Sequence, residues 1–203
     1  MMLSTKHLND SALATLTADA KVLEEDSLGP KVYRLANGHF LKLFRRKRLI
    51  SSALLRPYSA RFYQNAERLA ELGIPTLTPI TLYTFAEKQL SAVLYTPLPG
   101  QTLKELYLQN PESFITRLPA LCDFIRELHR KGIYFRSLHL GNIVLTPQNT
   151  LGLIDVADLA FHRRSLSKAK AARNLKHFAR LLRQMEIAGR FPMAELSAAV
   201  LAD

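Results

Sequence analysis

Two short apolar runs joined by a turn constrain the fold of this chain more than any other feature. Asn142 opens the run Asn-Ile-Val-Leu, residues 146–150 contain proline and asparagine, and residues 151–154 are again mostly apolar. This order predicts a β-hairpin, because turn-forming residues separate two runs of strand-forming residues. Since the strands of a hairpin are antiparallel, Asn142 and Asp155 are expected at the same end of it.

The two side chains at this end indicate a metal site. Asn142 offers an amide oxygen and Asp155 a carboxylate, and both are hard ligands of the kind that Mg²⁺ prefers. Mg²⁺ takes few protein ligands and completes its shell with phosphate and water oxygens. The spacing therefore predicts a magnesium site that could carry the phosphates of a nucleotide.

Around this hairpin the chain resembles the protein kinase-like superfamily, and within it the small bacterial lipopolysaccharide core kinases and aminoglycoside phosphotransferase-type enzymes. Their catalytic loop runs roughly His-Gly-Asp-Leu-His-x-x-Asn before a hairpin and an Ile-Asp motif, and residues 135–142 here are FRSLHLGN. The resemblance implies that Asn142 and Asp155 bind the metal and that His139 holds the loop. It also implies that Ser137 stands where the family has its catalytic base, an aspartate.

The serine at this position bears on activity. A serine hydroxyl cannot accept a proton near neutral pH, and positioned general bases contribute roughly 10²- to 10⁴-fold to the rate. We therefore expect weak catalysis or none. Asp158 is a candidate for a displaced base or a further metal ligand, although a surface or helix-capping aspartate is the favoured interpretation.

The residues before this region are predicted to form an antiparallel sheet with one helix. The dipeptide Asn-Gly at residues 37–38 lies between two apolar runs and is the strongest short-range hairpin signal. Helical periodicity ending at a glycine predicts a helix. The predicted strands are residues 21–24, 32–35, 39–44, 77–82 and 89–95, the helix is residues 56–72, and residues 27–31 form a loop over the nucleotide phosphates.

The resemblance also implies a nucleotide site in this part of the chain. Lys42, in the middle of a strand, would contact the α and β phosphates, and Glu67 would pair with it. Backbone groups from Tyr95 to Leu98 would bind adenine. The alternatives are a solvated strand lysine and a surface glutamate.

Helices are predicted to dominate the rest of the chain. Thr102 with Glu105 matches a capping box, residues 111–131 have one apolar side and end at a glycine, and residues 167–186 form a basic helix. The resemblance implies an α+β fold, a small two-lobed kinase-like domain over residues 1–203. Its antiparallel-sheet N-lobe would span residues 1–96, its hinge 97–100, and its reduced, mainly helical C-lobe 101–203.

Composition agrees with one compact domain of 203 residues, of which 48% are hydrophobic. Cys122 is the only cysteine, so an internal disulfide is excluded and a buried, inert thiol is expected. No apolar run approaches the roughly 18 residues needed to cross a bilayer, and the N-terminus lacks a signal-peptide core. These features predict a cytoplasmic protein, with peripheral contact at the inner membrane as an option.

The net charge of +11 predicts anionic partners. Basic residues gather at 45–48 and again across 162–183. Such fields attract phosphorylated sugars, anionic lipid headgroups or nucleic acid. A basic surface that serves solubility alone is the alternative.

Three functions follow from these observations. The first is a lipopolysaccharide-kinase-like enzyme that binds Mg-ATP through Lys42, Asn142 and Asp155 and phosphorylates a sugar hydroxyl of a lipid-linked glycan. The second is a pseudokinase, a binding or regulatory module at an anionic membrane or partner surface. An RNA-binding basic domain is the third and least favoured.

Overall fold

The computed structural model describes residues 5–45, 57–86 and 90–202. The chain divides into two compact units, the first ending at Leu98 and the second beginning at Pro99. This division falls within residues 97–100, to which the resemblance assigns a hinge. A hinge function for these residues stays a prediction.

A six-stranded sheet forms the first unit, together with two helices. The elements are β1 (Thr5–His7), α1 (Asp10–Thr17), β2 (Lys21–Asp26), β3 (Gly29–Arg34), β4 (Phe40–Arg45), α2 (Tyr58–Glu71), β5 (Thr78–Thr84) and β6 (Leu90–Thr96). The strand order is β1-β5-β6-β4-β3-β2, and all neighbours are antiparallel except β1 and β5, which are parallel. The sheet is therefore mixed, and the prediction of a purely antiparallel sheet is wrong at β1. This strand is three residues long and exposed throughout, so it has no apolar alternation to detect.

The hairpin of β3 and β4 is confirmed, but the predicted phosphate loop before it is wrong. Val32 pairs with Lys42 across the hairpin. Upstream, Asp26 pairs directly with Gly29, so the chain reverses over two residues instead of forming a loop at 27–31. The Asp26 carboxylate accepts a hydrogen bond from the Leu28 backbone N–H at 2.8 Å, and Gly29 has a φ of 99° that favours glycine.

Apolar side chains pack on both faces of this sheet. Leu41 and Leu43 of β4 belong to a buried cluster against which Leu13 and Leu16 of α1 pack. On α2, the Phe62 ring lies 5.4 Å from the Phe44 ring, measured between centroids. Because neighbouring residues of a strand point to opposite faces, Lys42 shares the α2 face rather than the α1 face.

The second unit is mainly helical, with two small sheets. Its elements are β7 (Gln101–Thr102), α3 (Leu103–Gln109), α4 (Pro111–Phe114), α5 (Leu118–Arg130), β8 (Ile133–Phe135), β9 (Ile143–Leu145), β10 (Leu151–Leu153), β11 (Leu159–Phe161), α6 (Lys168–Gln184) and α7 (Met193–Leu201). Antiparallel pairing joins β10 to β9, β9 to β7, and β11 to β8.

The long helix predicted at residues 111–131 is interrupted. A 3₁₀ turn at Ile115–Arg117 separates α4 from α5. Pro119 explains the break, because it lacks the N–H that would bond to the carbonyl of residue 115. The predicted capping box at Thr102 is confirmed, and Gly132 ends α5 with a φ of 72°.

A buried asparagine ties the helices of this unit to β8. Asn174 of α6 donates a hydrogen bond from Nδ2 to the Phe135 carbonyl at 2.6 Å. Its Oδ1 lies 3.0 Å from Nε2 of His129, in the last turn of α5. Both side chains are buried, so the two hydrogen bonds fix α6 against β8 and α5.

The expected mixture of helices and strands is confirmed, whereas a kinase-like arrangement of two lobes stays a prediction. Among the residues that the structure describes, no helix combines the length and apolar character that crossing a bilayer requires. Cys122 is buried as predicted, and burial raises the pKa of its thiol.

Candidate active site

The hairpin predicted around Asn142 is present as β9 and β10. Leu145 pairs with Leu151 and Ile143 with Leu153, which gives the expected antiparallel register. One residue beyond this ladder, the Ile154 N–H donates a hydrogen bond to the Asn142 carbonyl at 3.0 Å. Asn142 and Asp155 therefore leave the hairpin at the same end.

Asn142 and Asp155 differ in their surroundings. Asn142 is only 8% exposed, and its Nδ2 donates a hydrogen bond to the Ser137 carbonyl at 2.9 Å. This contact fixes the amide with its nitrogen towards the loop. Asp155 is exposed and has a φ of 53° and a ψ of 47°, a left-handed conformation that aspartate tolerates better than most residues.

This pair fits a magnesium ion better than a metal held by the protein alone. In the described residues no group of three or more His, Cys, Asp and Glu side chains could hold a metal ion. Mg²⁺ does not need such a cage, since one carboxylate and one amide oxygen suffice when phosphates and water complete the shell. Asn142 and the exposed Asp155 have the right chemistry for that arrangement.

His139 holds the loop between β8 and β9. Its Nδ1 accepts a hydrogen bond from the Gly141 N–H at 3.0 Å. Burial lowers the pKa of His139, and of the two nearby charges Asp155 opposes this effect while Lys104 adds to it. A neutral imidazole agrees with the acceptor role of Nδ1.

The strand pair β8 and β11 brings Ser137 and Asp158 together. Leu159 pairs with Phe135, so the residues just before Leu159 and just after Phe135 meet at one end of the pair. There Ser137 Oγ donates a hydrogen bond to Asp158 Oδ2 at 2.5 Å. The residue at the position of the missing base is therefore hydrogen-bonded to a carboxylate.

Asp158 is neither a surface aspartate nor a helix cap, so the interpretation favoured from sequence is wrong. Its side chain is 18% exposed, and Oδ1 is buried without a hydrogen-bond partner among the described residues. Burial raises the pKa of this carboxyl, although the Ser137 hydrogen bond and the Arg136 guanidinium, with Nε 3.9 Å from Oδ2, act in the opposite direction. Only the spacing from Asp155 pointed to it, because the pairing of β8 with β11 is not evident in sequence.

In the first unit, Lys42 lies in the middle of β4 as predicted, but it is not a solvated lysine. It is 5% exposed, and its Nζ lies 5.5 Å from the centroid of the Phe62 ring and 5.8 Å from that of Phe44. Aromatic faces attract an ammonium group at such distances. A contact with nucleotide phosphates stays a prediction.

The helix glutamate expected beside Lys42 does not lie on the buried face of α2. That face consists of Ser59, Phe62, Tyr63, Asn65, Ala66 and Leu69. Glu67 is half-buried at its edge, and no salt bridge in the described part of the chain joins it to Lys42. The pairing of Glu67 with Lys42 is therefore not seen. Asn65, a buried polar residue of this face, was not singled out in the sequence.

The two residues expected near adenine differ in position. Tyr95 is a buried residue of β6, opposite Phe40 on one side and Pro79 on the other. Leu98 is half-buried and lies beyond the last residue of that strand. Since Tyr95 is enclosed by neighbouring strands, Leu98 has the more accessible backbone.

The two basic regions are described unequally. Arg45 donates a hydrogen bond to the Pro30 carbonyl at 2.8 Å, and residues 46–48 lie outside the described residues. In the second region most basic side chains are exposed on the loop before α6 and on α6 itself.

No protein-family model matches this chain, and no curated protein matches it in sequence.

Proposed function

We propose that this chain is a phosphotransferase that uses Mg-ATP and phosphorylates a sugar hydroxyl of a lipid-linked glycan at the cytoplasmic membrane face. The observation that carries the proposal is the hydrogen bond from Ser137 Oγ to Asp158 Oδ2. It supplies a carboxylate at the position where the resemblance leaves the base missing. The same stretch of chain holds Asn142 and Asp155 at one end of a hairpin.

Each residue has a role in this proposal. Asn142 and Asp155 would hold Mg²⁺, which neutralises charge on the transferring phosphoryl group when it is bound. Lys42 contributes an ammonium group for the α and β phosphates. The backbone at Leu98 is the candidate for adenine. His139 positions the loop through its hydrogen bond to Gly141.

Asp158 would take the proton of the attacking hydroxyl through Ser137. The acceptor oxygen forms a bond to the γ-phosphorus of ATP, while the bond from that phosphorus to the β–γ bridging oxygen breaks and ADP leaves. The acceptor proton passes to Ser137 Oγ, and the Ser137 proton passes to Asp158 Oδ2. A carboxyl with a raised pKa is a better proton acceptor near neutral pH than an ordinary aspartate.

Turnover with a matched control tests this proposal. The measurement is transfer of labelled γ-phosphate to lipid-linked glycan acceptors over a range of pH. Asp158→Asn should lower the rate by roughly 10²-fold or more, the usual contribution of a positioned base. Asp123→Asn removes a charge at an exposed aspartate of α5 and should leave the rate unchanged.

The pH profile separates proton transfer from a merely structural role. Wild-type activity should rise with pH as Asp158 loses its proton, and this acidic limb should disappear in Asp158→Asn. Ser137→Asp restores the family's base and should remain active. A wild type whose rate and pH profile match those of Asp158→Asn would sink the role given to Asp158.

A pseudokinase is the second candidate, and the turn between β2 and β3 favours it. The chain reverses there over two residues, with Asp26 paired to Gly29. Loops that cradle phosphates present several backbone N–H groups, and a turn this short offers few. Mg-ATP binding without transfer to any acceptor would favour this candidate over an enzyme.

A further inference from the structure

One face of α6 carries three basic side chains that lie beside the candidate active site. Arg173, His177 and Arg180 follow one another at spacings of four and three residues, so they share one side of the helix. Asn174, next to Arg173, bonds to the Phe135 carbonyl at 2.6 Å. The residue after Phe135 is Arg136, and Ser137 follows it.

Ring packing fixes the same face of α6 a little further along. The rings of His177 and Tyr134 lie 6.4 Å apart between centroids, at an interplanar angle of 87°. Tyr134 belongs to β8, the strand that leads into Arg136 and Ser137. Two contacts, at Asn174 and at His177, therefore hold the basic side of α6 next to the loop that carries Ser137.

The charges of this cluster are close enough to act on one another. Burial lowers the pKa of His177, and Arg180, Arg136 and Arg173 lower it further, while Asp158 is the only carboxylate that acts in the opposite direction. Three guanidinium groups thus face one acidic side chain, and Asp158 already accepts the Ser137 hydrogen bond.

These guanidinium groups are accessible. The Arg136 side chain is 64% exposed, and Arg173 and Arg180 are also exposed. In the ranges that the structure describes, neither Arg173 nor Arg180 takes part in a salt bridge or side-chain hydrogen bond. Like charges gathered without partners repel one another and create a positive potential that attracts an anion.

We propose that Arg136, Arg173 and Arg180, with His177, bind a phosphate monoester carried by the acceptor, so that the substrate is an already phosphorylated sugar. This inference rests on the proposed function, which brings the acceptor hydroxyl to Ser137. A phosphate monoester carries about −1.5 to −2 charges at pH 7 and presents three acceptor oxygens. Planar guanidinium groups match such an anion with paired hydrogen bonds, which lysines do not.

The test measures binding of glucose 6-phosphate and of glucose by calorimetry. The wild type is compared with the double variant Arg173→Gln/Arg180→Gln and with a control, Arg163→Gln/Arg190→Gln. The control removes the same charge from two exposed arginines of the same unit. Wild type and control should prefer glucose 6-phosphate over glucose, and the first double variant should bind it about tenfold or more weakly.

Mg-ATP is titrated into the same samples, so that the two proposals can fail separately. Intact Mg-ATP binding with no preference for glucose 6-phosphate in the wild type overturns this inference alone. Equal losses in both double variants also overturn it, because general charge would then explain the binding. Binding to phosphatidylglycerol vesicles without binding to glucose 6-phosphate would replace the phosphorylated acceptor with a membrane surface and contradict the inference. Selective glucose 6-phosphate binding without Mg-ATP binding supports the phosphate site and overturns the phosphotransferase.

Discussion

Among single residues, Asp158 has the surroundings least suited to an ordinary carboxylate. Its Oδ1 is buried without a hydrogen-bond partner among the described residues, and burial raises its pKa. A pKa raised in the folded protein means that the folded state binds more protons than the unfolded state. The free energy of unfolding therefore falls as pH rises from the ordinary aspartate value, about 3.9, through the raised value. The site thus holds its proton acceptor at a cost in stability.

Asp158→Asn should remove this cost while it abolishes the proton acceptor. An asparagine keeps the size of the side chain and can still accept the Ser137 hydrogen bond. We expect the melting temperature of the variant to exceed that of the wild type at pH 7, and the difference to shrink as pH falls below the ordinary aspartate pKa. Thermal unfolding from pH 3 to 8 measures this, with Asp123→Asn as control. A variant less stable than the wild type at neutral pH would show that the charged form of Asp158 is needed by the fold.

At the scale of elements, the loop between β8 and β9 depends on a close approach of His139 to Gly141. A Cβ added at Gly141 would lie 3.0 Å from Cε1 and 3.1 Å from Nδ1 of the His139 ring. This is closer than side-chain atoms normally pack, so the ring would have to shift. The hydrogen bond from the Gly141 N–H to the ring would be weakened.

Gly141→Ala should therefore destabilise the protein, and Gly189→Ala should not. The first forces an overpacked contact, for which about 1–3 kcal/mol is typical. The second adds a methyl group where nothing lies within 4 Å, so its stability should be unchanged or slightly increased. Urea unfolding of both variants measures the difference. Equal midpoints for the two variants would mean that the His139 ring adapts freely, contrary to the role assigned to it in the loop.

The tie between α6, β8 and α5 can be tested in the same way. Asn174→Ala leaves the Phe135 carbonyl and the His129 ring nitrogen unpaired in a buried position, at a cost of about 1–3 kcal/mol for each. We expect a clear drop in melting temperature and weaker glucose 6-phosphate binding, because the basic face of α6 would no longer be held beside Arg136. Gln184→Ala, at an exposed position on the same helix, should change stability by less than about 0.5 kcal/mol. Unchanged stability in Asn174→Ala would contradict the tie.

For the whole molecule, sequence patterns predicted the elements that depend on local chemistry. The hairpins of β3 with β4 and of β9 with β10 follow from their turn residues, and the cap at Thr102 from its spacing to Glu105. What local patterns could not predict depends on packing between distant segments. The short exposed β1 pairs with β5 across most of the first unit, and α1 is defined by the sheet face that it covers.

The candidate site shows the same limit. Asn142 and Asp155 were predicted together because one hairpin joins them. The contact of Ser137 with Asp158 depends instead on the pairing of two three-residue strands, and the basic cluster depends on the docking of α6. Neither leaves a periodic signal in sequence. The broken helix before Gly132 is different, since Pro119 was visible and its missing N–H predicts the interruption.

The central claim is a magnesium-dependent nucleotide site, and calorimetric titration of ATP with and without Mg²⁺ tests it most directly. Wild type is compared with Asp155→Ala, Lys42→Met and the control Asp123→Asn, and circular dichroism verifies that each variant is folded. Methionine keeps the apolar stem at a buried position, so Lys42→Met removes mainly the charge. We predict ATP binding that requires Mg²⁺, is weakened about tenfold or more in folded Asp155→Ala and Lys42→Met, and is unchanged in the control. A folded wild type that binds no ATP in the presence of Mg²⁺ would contradict the claim and leave a protein whose function lies in its basic surface.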